Sequence, residues 1–450
     1  MIIVVCGFLM LGFPVAFTLA GTSLMFAGIG VLTGTFRSNY FGLIPERIFE
    51  GIMYNTTLIA IPIFIFMGVM LERSKIAERL LETMALLFGP IRGGLGISVI
   101  LVGMLLAAST GIVGATVVTM GLLSLPTMIK RGYDPQVVTG TICASGTLGQ
   151  IIPPSIVLII LSDVLANASK TGDVTITDLF IGALFPGLLL VLCYILYIVY
   201  LAIFKPHTVP AIPKEERALV SRSELFSRTI KVLLPPIILI LCVLGSIITG
   251  FASPTNAAAV GAIGATILAI MARQFNREVL NDVMRRTLDT TSMVMMILIG
   301  ATVFSLVFWG FKGNIMVENF LKALPGGKYS ALIFVMLLIF ILGFILDFFE
   351  ITLLVIPIVG PVLMAMGFHP VWLGILVAVN LQTSFLTPPF GFSLFYLRGV
   401  APKSISTGQI YRGVIPFIAI QVFVLALIIF WEDLATWLPE VAEAARKARL

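Results

Sequence analysis

The chain alternates long apolar stretches with short polar ones. Nearly uncharged runs cover positions 2–13, 15–33, 55–71, 94–129, 136–165, 178–204, 232–250, 255–272, 288–309, 330–366, 371–397 and 410–431. A helix needs about 20 such residues to cross a bilayer, so most of these runs predict a crossing. Two are of awkward length. As single straight helices, 94–129 and 330–366 would each measure about 54–56 Å, too long for one crossing and too short for two. Each has polar or small residues at its middle: Ala108-Ser109-Thr110-Gly111 in the first, Asp347-Phe348-Phe349-Glu350 in the second. This predicts re-entrant hairpins with buried tips, since irregular backbone at membrane depth must be covered by protein or line a cavity. A long kinked helix is the alternative. The first run is short, about 18 Å of helix against a core of about 30 Å. The chain is therefore expected either to begin inside a membrane helix or to lack residues upstream. No charged segment precedes that run, so no cleavable signal peptide is expected. Segments 44–52 and 76–88 carry charge on one side and apolar residues on the other, which suits helices in the interface plane or loop helices packed on the protein.

The pattern is duplicated. Pro126, Gly132, Pro135, Pro153 and Pro154 recur 235 positions later as Pro361, Gly367, Pro370, Pro388 and Pro389, with Tyr133 falling on Phe368. Pro14 and Gly21 recur at an offset of 240 as Pro254 and Gly261. The reading is an all-α polytopic membrane protein of two inverted repeats, with about ten crossings and two hairpins. Repeat one spans 1–204, with its hairpin at 94–129 and a broken helix at 136–165. A cytoplasmic linker follows at 205–231. Repeat two spans 232–438, with its hairpin at 330–366 and a broken helix at 371–398, and leaves a tail at 439–450. Five crossings per repeat make the second enter inverted. With the amino terminus outside, 19 of the 28 Lys and Arg residues fall in inner segments, as the positive-inside bias requires. Asp163, Asp173 and Asp178 against the single Lys170 suit an outer loop.

Composition agrees. Hydrophobic residues make up 59% and charged ones 11%, and the mean hydropathy is +1.11, so lipid must be the solvent. The net charge of +6 reflects the loop bias rather than a nucleic-acid surface. Cys6, Cys143, Cys193 and Cys242 lie in apolar runs without metal-ligand spacing and read as core residues. His207 and His369 have no ligand partner nearby in sequence. No phosphate-binding loop, hydrolase elbow or zinc motif occurs, which argues against direct ATP drive and against an enzyme.

The chemistry concentrates at two proline pairs, GTLGQIIPPS at 146–155 and LQTSFLTPPF at 381–390. Proline removes a donor and clashes with the preceding turn, and Gly146 and Gly149 loosen the first helix further. The freed carbonyls can hold a hard cation such as Na⁺, while the helix restarting after each break turns its N–H groups and positive dipole end toward an anion. Such matched breaks are how secondary transporters build a midplane site; a kink satisfied by neighbours and water is the plainer reading. Asn380, Gln382, Thr383, Ser384 and Thr387 suit hydrogen bonding to a small polar solute, or alternatively interhelical bonding. Asp347 and Glu350 share a helix face. Such acids could assist a cation, carry a proton, or pair with a base such as Arg398.

Pro126 to Tyr133, the segments Gly146-Thr147-Leu148-Gly149 and Ile152-Pro153-Pro154-Ser155, Asn380-Leu381, and Leu386-Thr387-Pro388-Pro389-Phe390-Gly391 resemble the large membrane subunit of tripartite ATP-independent periplasmic (TRAP) transporters. The likeness covers nearly the whole chain. It implies an elevator fold of the ion-transporter superfamily, with a scaffold holding a mobile domain of hairpins and broken helices. It implies Na⁺ as coupling ion, with no other cofactor. The implied partners are a small four-span subunit and a periplasmic binding protein that delivers an organic acid. One Na⁺ site is implied at Ser109, Thr110, Gly149, Ile152 and Pro154, and a second at Gly313, Thr387 and Phe390. Substrate contacts are implied at Gly146, Thr147, Ser155, Asn380, Gln382, Thr383 and Ser384. The Asp347–Glu350 tip is more acidic than in many relatives.

The resulting expectation is the permease subunit of a Na⁺-coupled symporter in a bacterial inner membrane. Its cargo would be a C4-dicarboxylate, a 2-oxo acid or a similar carboxylate or sulfonate. A stand-alone divalent-anion/Na⁺ symporter, a membrane enzyme using the hairpin acids and a passive channel are the alternatives.

Overall fold

The computed structural model describes residues 1–168, 174–211 and 222–447, without the side chains of 109, 110, 222, 223, 446 and 447. Lys170 and Asp173 lie outside the described residues. No strand occurs among those described.

The first half runs α1 (Ile2–Met10), α2 (Val15–Leu32), α3 (Leu43–Ile48), α4 (Ala60–Arg73), α5 (Ile76–Phe88), α6 (Gly94–Thr110), α7 (Val113–Lys130), α8 (Pro135–Thr147), α9 (Ile156–Ala168) and α10 (Ile176–Phe204). The second runs α11 (Arg222–Ile248), α12 (Pro254–Met271), α13 (Arg277–Gly310), α14 (Gly313–Lys322), α15 (Gly327–Leu342), α16 (Phe348–Leu354), α17 (Ile356–Ala365), α18 (Pro370–Leu386), α19 (Phe392–Val400) and α20 (Thr407–Phe430), followed by α21 (Asp433–Lys447).

The order of elements repeats, and so does the backbone at its turns. Lys75 and Lys312 precede α5 and α14 with φ of 54° and 60°. Gly93 and Gly326 do the same before α6 and α15, at 78° and 103°. Gly132 and Gly367 turn the chain into α8 and α18 at 81° and 89°. Left-handed backbone at a non-glycine residue is uncommon, so a lysine pair at matching turns extends the duplication beyond the proline template.

Neither long run is one helix. Gly111, at φ 61°, ends α6 and α7 starts two residues later; α6 and α7 pack on each other, closing the first hairpin. The second run breaks at 343–347, and α16 and α17 meet at 54°. Among the described residues, seven helices are long and apolar enough to cross a bilayer, or eight counting α16 and α17 together. The count differs from the expected ten or so because α1 and α4 are short, the crossings made by α8 with α9 and α18 with α19 are split, and α7, which belongs to hairpin one, is among the seven.

Three boundaries move. The linker expected at 205–231 is shorter, because α11 starts at Arg222, where Arg228 bonds Glu82 at 2.8 Å. The charged segment before the run at 288–309 is no loop: α13 continues through it for 34 residues. The tail expected from 439 is helical, since α21 crosses that boundary and its Trp437 ring lies 5.7 Å from Phe185. Its amphipathic face is covered by α10, which propensity alone does not reveal. Asp178, expected as a loop charge, closes a capping box with Thr175.

Two packing groups result. The first joins α2 to α13, α4 to α12 and α13, and α11 to α12. The second joins α8 to α7 and α20, α18 to α15 and α20, and α9 to α16 and α17. They meet where α4 touches α6 and α9, α5 touches α6 and α13 touches α16. Across that seam Asn55 Nδ2 donates to Asp163 Oδ1 at 2.7 Å.

The second group is held by close backbone crossings. A Cβ on Gly140 of α8 would lie 2.0 Å from the Gly413 carbonyl of α20, and one on Gly413 would lie 2.2 Å from the Gln136 carbonyl. Gly413→Val is expected to destabilise the protein by about 1–3 kcal/mol, the usual range for overpacking. Gly399→Ala, which faces open space, should have little effect. Thermal unfolding of the purified protein compares the two, and equal melting points would refute this crossing.

Candidate functional site

The first break is wholly buried. Helix α8 ends at Thr147, a 3-10 turn covers Leu148–Gln150, and irregular backbone runs to Ser155 before α9 begins. Ser155 Oγ donates to the Gln150 carbonyl at 2.9 Å. No hydrogen bond to the Ile152 or Pro154 carbonyl is present among the described residues. Buried carbonyls normally find a donor, so this pair is open to a cation.

Hairpin one closes over this break. A Cβ on Gly149 would lie 3.4 Å from the Ala107 carbonyl, one on Gly146 2.3 Å from Val117, and one on Gly111 3.3 Å from the Ile156 nitrogen. The structure thus brings the 107–111 tip to Gly149 and the start of α9, and α7 to Gly146. Ser109 and Thr110 end α6 beside them, but their side chains lie outside the described ones.

The second break is built the same way and is more open. Helix α18 stops at Leu386 and α19 starts at Phe392. Thr387 Oγ1 donates back to the Thr383 carbonyl at 2.7 Å, and Ser393 Oγ donates to the Phe385 carbonyl at 2.8 Å. Phe390 is 54% exposed, whereas Ser155 at the matching place is buried. Both proline pairs contain a cis peptide bond. Hairpin two packs on α18: a Cβ on Gly343 would meet Ser384 Oγ, and Asn380 Nδ2 donates to the Met336 carbonyl at 2.7 Å. Gly313, grouped with Thr387 and Phe390 by resemblance, opens α14 against the Phe308 ring, and α14 packs on α13, α15 and α17 rather than on α18 or α19.

Each hairpin also reaches the other repeat. A Cβ on Gly114 of α7 would meet the Tyr396 ring of α19, while α16 packs on α9. The helices that lead into the two breaks touch directly: Gln382 Nε2 of α18 donates to Thr147 Oγ1 of α8 at 3.3 Å. These two residues are 235 apart, the spacing of the duplicated template. Equivalent residues can meet only at the axis relating the two halves, so that axis passes between Thr147 and Gln382. Gln421 of α20 joins them, donating to Thr147 Oγ1 at 3.4 Å and to the Tyr194 hydroxyl at 2.8 Å. All four residues are fully buried.

Sequence reasoning missed Gln421 and Tyr194, because isolated polar residues in apolar runs carry no periodic signal. It also passed over Gln150, whose position in the first break was a usable clue. Gln150 is fully buried, and neither atom of its amide has a partner among the described residues. The Gln382 and Gln421 amide oxygens are likewise open. In a 3-10 turn side chains three apart eclipse, which sets Gln150 on the side of Thr147.

The hairpin acids have a local role. Asp347 caps α16, accepting from the Phe348 N–H at 2.7 Å, while Glu350 accepts from the Asp347 N–H at 3.1 Å; together they form a capping box. Arg398 donates instead to the Ile405 carbonyl. No ion pair joins it to either acid among the described residues, and no cluster of metal-ligating His, Cys, Asp or Glu is present there.

Comparison with known proteins places the chain among relatives. The family model described as "Tripartite ATP-independent periplasmic transporter, DctM component" matches residues 2–434. The C4-dicarboxylate TRAP transporter large permease protein DctM of Pseudomonas aeruginosa is 31% identical over 384 residues, covering 85% of this chain and 86% of that protein. The sialic acid TRAP transporter large permease protein SiaM of Vibrio cholerae is 29% identical, covering 97% and 96%. Among solved structures, the Alcanivorax borkumensis YdaH transporter, described as having an unusual topology, superposes with a TM-score of 0.62 at 16% identity, covering 88% of this chain and 87% of that one. That likeness concerns the fold.

Gln421→Leu leaves the buried Tyr194 hydroxyl without its bond and should cost about 1–3 kcal/mol. Adding Tyr194→Phe removes the orphaned group, so the double variant should lose less than the sum of the singles. Thermal or denaturant unfolding of the four proteins measures the coupling; strict additivity would count against the bond. Glu350→Gln keeps a capping-box side chain and should leave stability unchanged, whereas Glu350→Ala should lower it by about 0.5–2 kcal/mol.

Proposed function

The chain belongs to the DctM component family of tripartite ATP-independent periplasmic transporters, and from that premise we propose that it is the Na⁺-coupled permease subunit for a small organic acid, working by an elevator movement. Membership makes it a multi-pass membrane permease. The further reading rests above all on one observation: two unwound proline-pair segments, the first buried and the second partly open, follow helices α8 and α18, which are packed by the hairpins and meet at Thr147 and Gln382.

Backbone carbonyls at Gly149, Ile152 and Pro154, with the Ser109–Thr110 tip, would hold one Na⁺. A second would use Thr387 and the carbonyls around it, with Phe390. These are half-helix ends, where unwound carbonyls and the negative end of a helix dipole suit a cation. The cargo carboxylate would face the restarting helices at Ser155 and after Gly391, whose free N–H groups suit an anion. Gly146, Asn380, Thr383 and Ser384 line the same segments, and Thr147 and Gln382 hold them together. Binding the cation orders the breaks and so completes the anion site, which gives coupling without ATP.

The group of hairpins and broken helices would move as one body against the group built on α2, α4, α12 and α13. A small four-span subunit would widen the second group, and a periplasmic binding protein would deliver the acid. The named relatives are described as C4-dicarboxylate and sialic acid transporters, which supports an organic acid as the cargo.

The binding protein encoded with this chain can be screened against dicarboxylates, 2-oxo acids and sulfonates to supply a cargo. Uptake of that cargo into proteoliposomes holding the chain and its small subunit should require both the binding protein and an inward Na⁺ gradient. Thr387→Val removes a hydroxyl ligand and should raise the half-saturating Na⁺ concentration by about 5–10-fold, the equivalent of one hydrogen bond. Uptake indifferent to Na⁺ would overturn the reading.

A further inference from the structure

Away from the breaks, a half-open cleft of about 310 Å³ lies between α5, the base of hairpin one and α11. Its walls carry both signs of charge, Glu78 and Glu82 from α5 against Arg131 after α7 and Arg228 of α11, over a floor that includes Leu95 and Leu123. Helix α7 ends at the cleft and α6 and α11 begin there, so the cleft opens at one bilayer surface. The charge bias assigns that surface to the cytoplasm. The amphipathic α5 buries Leu80, Leu81 and Met84 and exposes Glu78 and Glu82, as a helix lying in the interface does.

We propose that this cleft binds the headgroup of a zwitterionic aminophospholipid such as phosphatidylethanolamine. A simple anion entering it would meet two carboxylates, and a simple cation would meet two guanidinium groups. A phosphate a few bonds from a primary ammonium answers both. The guanidinium forks match phosphate oxygens, and the ammonium offers three donors to Glu78 and Glu82. Arg228 and Glu82 already stand 2.8 Å apart, with side chains 38% and 57% exposed. One charged pair therefore lies within reach of an incoming headgroup, and its acyl chains would follow the leucine floor into the bilayer. Phosphatidylcholine has no N–H donors for the carboxylates, and phosphatidylglycerol has no cation. The lipid would join the scaffold helix α5 to hairpin one at the seam between the two packing groups. The assignment does not depend on which cargo or coupling ion the breaks hold.

The full chain, purified and stripped of lipid, can be titrated with dioleoyl phosphatidylethanolamine, phosphatidylcholine and phosphatidylglycerol and read by native mass spectrometry. Phosphatidylethanolamine should be retained about tenfold better than the other two, as expected for one charge-assisted hydrogen bond or more. Glu78→Gln and Arg131→Gln should each abolish that preference. Glu78 is exposed, so its variant keeps the test decisive if Arg131→Gln does not fold. Equal retention of the three lipids, or a Glu78→Gln protein that still prefers phosphatidylethanolamine, would overturn the proposal. So would displacement of the lipid by free O-phosphoethanolamine at equal concentration, which would mark a soluble headgroup as the ligand, or by succinate, which would mark a cargo vestibule.

Discussion

Backbone polar groups in a lipid-embedded chain must be partnered from within, and at two places this protein interrupts the helices that would partner them. At 151–155 and 387–391 a proline pair ends one helix before another starts. The cost is tolerated in the first segment because hairpin one and neighbouring helices bury it, whereas the second is partly open. Hairpin one lies over Gly146 and Gly149, and hairpin two packs on α18. Without that cover, carbonyls such as those of Ile152 and Pro154 would be unsatisfied in hydrocarbon, at roughly several kcal/mol each.

The duplication makes the cover reciprocal. Helix α7 of the first half packs on α19 of the second, and α16 of the second packs on α9 of the first. Each broken helix is thus packed by hairpins of both halves. Thr147 and Gln382 stand on the axis of this exchange, and Gln421 and Tyr194 secure them from α20 and α10. The halves are not copies chemically. Gln150 in the first break matches Phe385 in the second, which instead lies among Phe348 and Phe392. The first break is thus polar and closed, the second aromatic and partly open.

Much of this was legible in the residues. Run length exposed the two hairpins, because neither 36 nor 37 apolar residues fit a whole number of crossings. The proline pairs marked the breaks, and the helix of 76–88 appeared at the expected bounds. What escaped depends on tertiary partners. Charged residues before 288 read as a loop, yet α13 carries its helix through them. The start of α11 and the existence of α21 depend on neighbours that cover one face. Asp347 and Glu350 looked like functional acids because intramembrane carboxylates usually are; their spacing also spells a capping box, and that local role is the one the hydrogen bonds support.

The claim beneath all of this is that unwound backbone at the paired breaks holds a cation. Density maps of the assembled transporter, recorded once in Na⁺ and once in choline, test it most directly. The account predicts a peak among the Gly149, Ile152 and Pro154 carbonyls in Na⁺ that is absent in choline, with the helices broken in both. Continuous helices through either proline pair, or identical maps around the breaks, would contradict it.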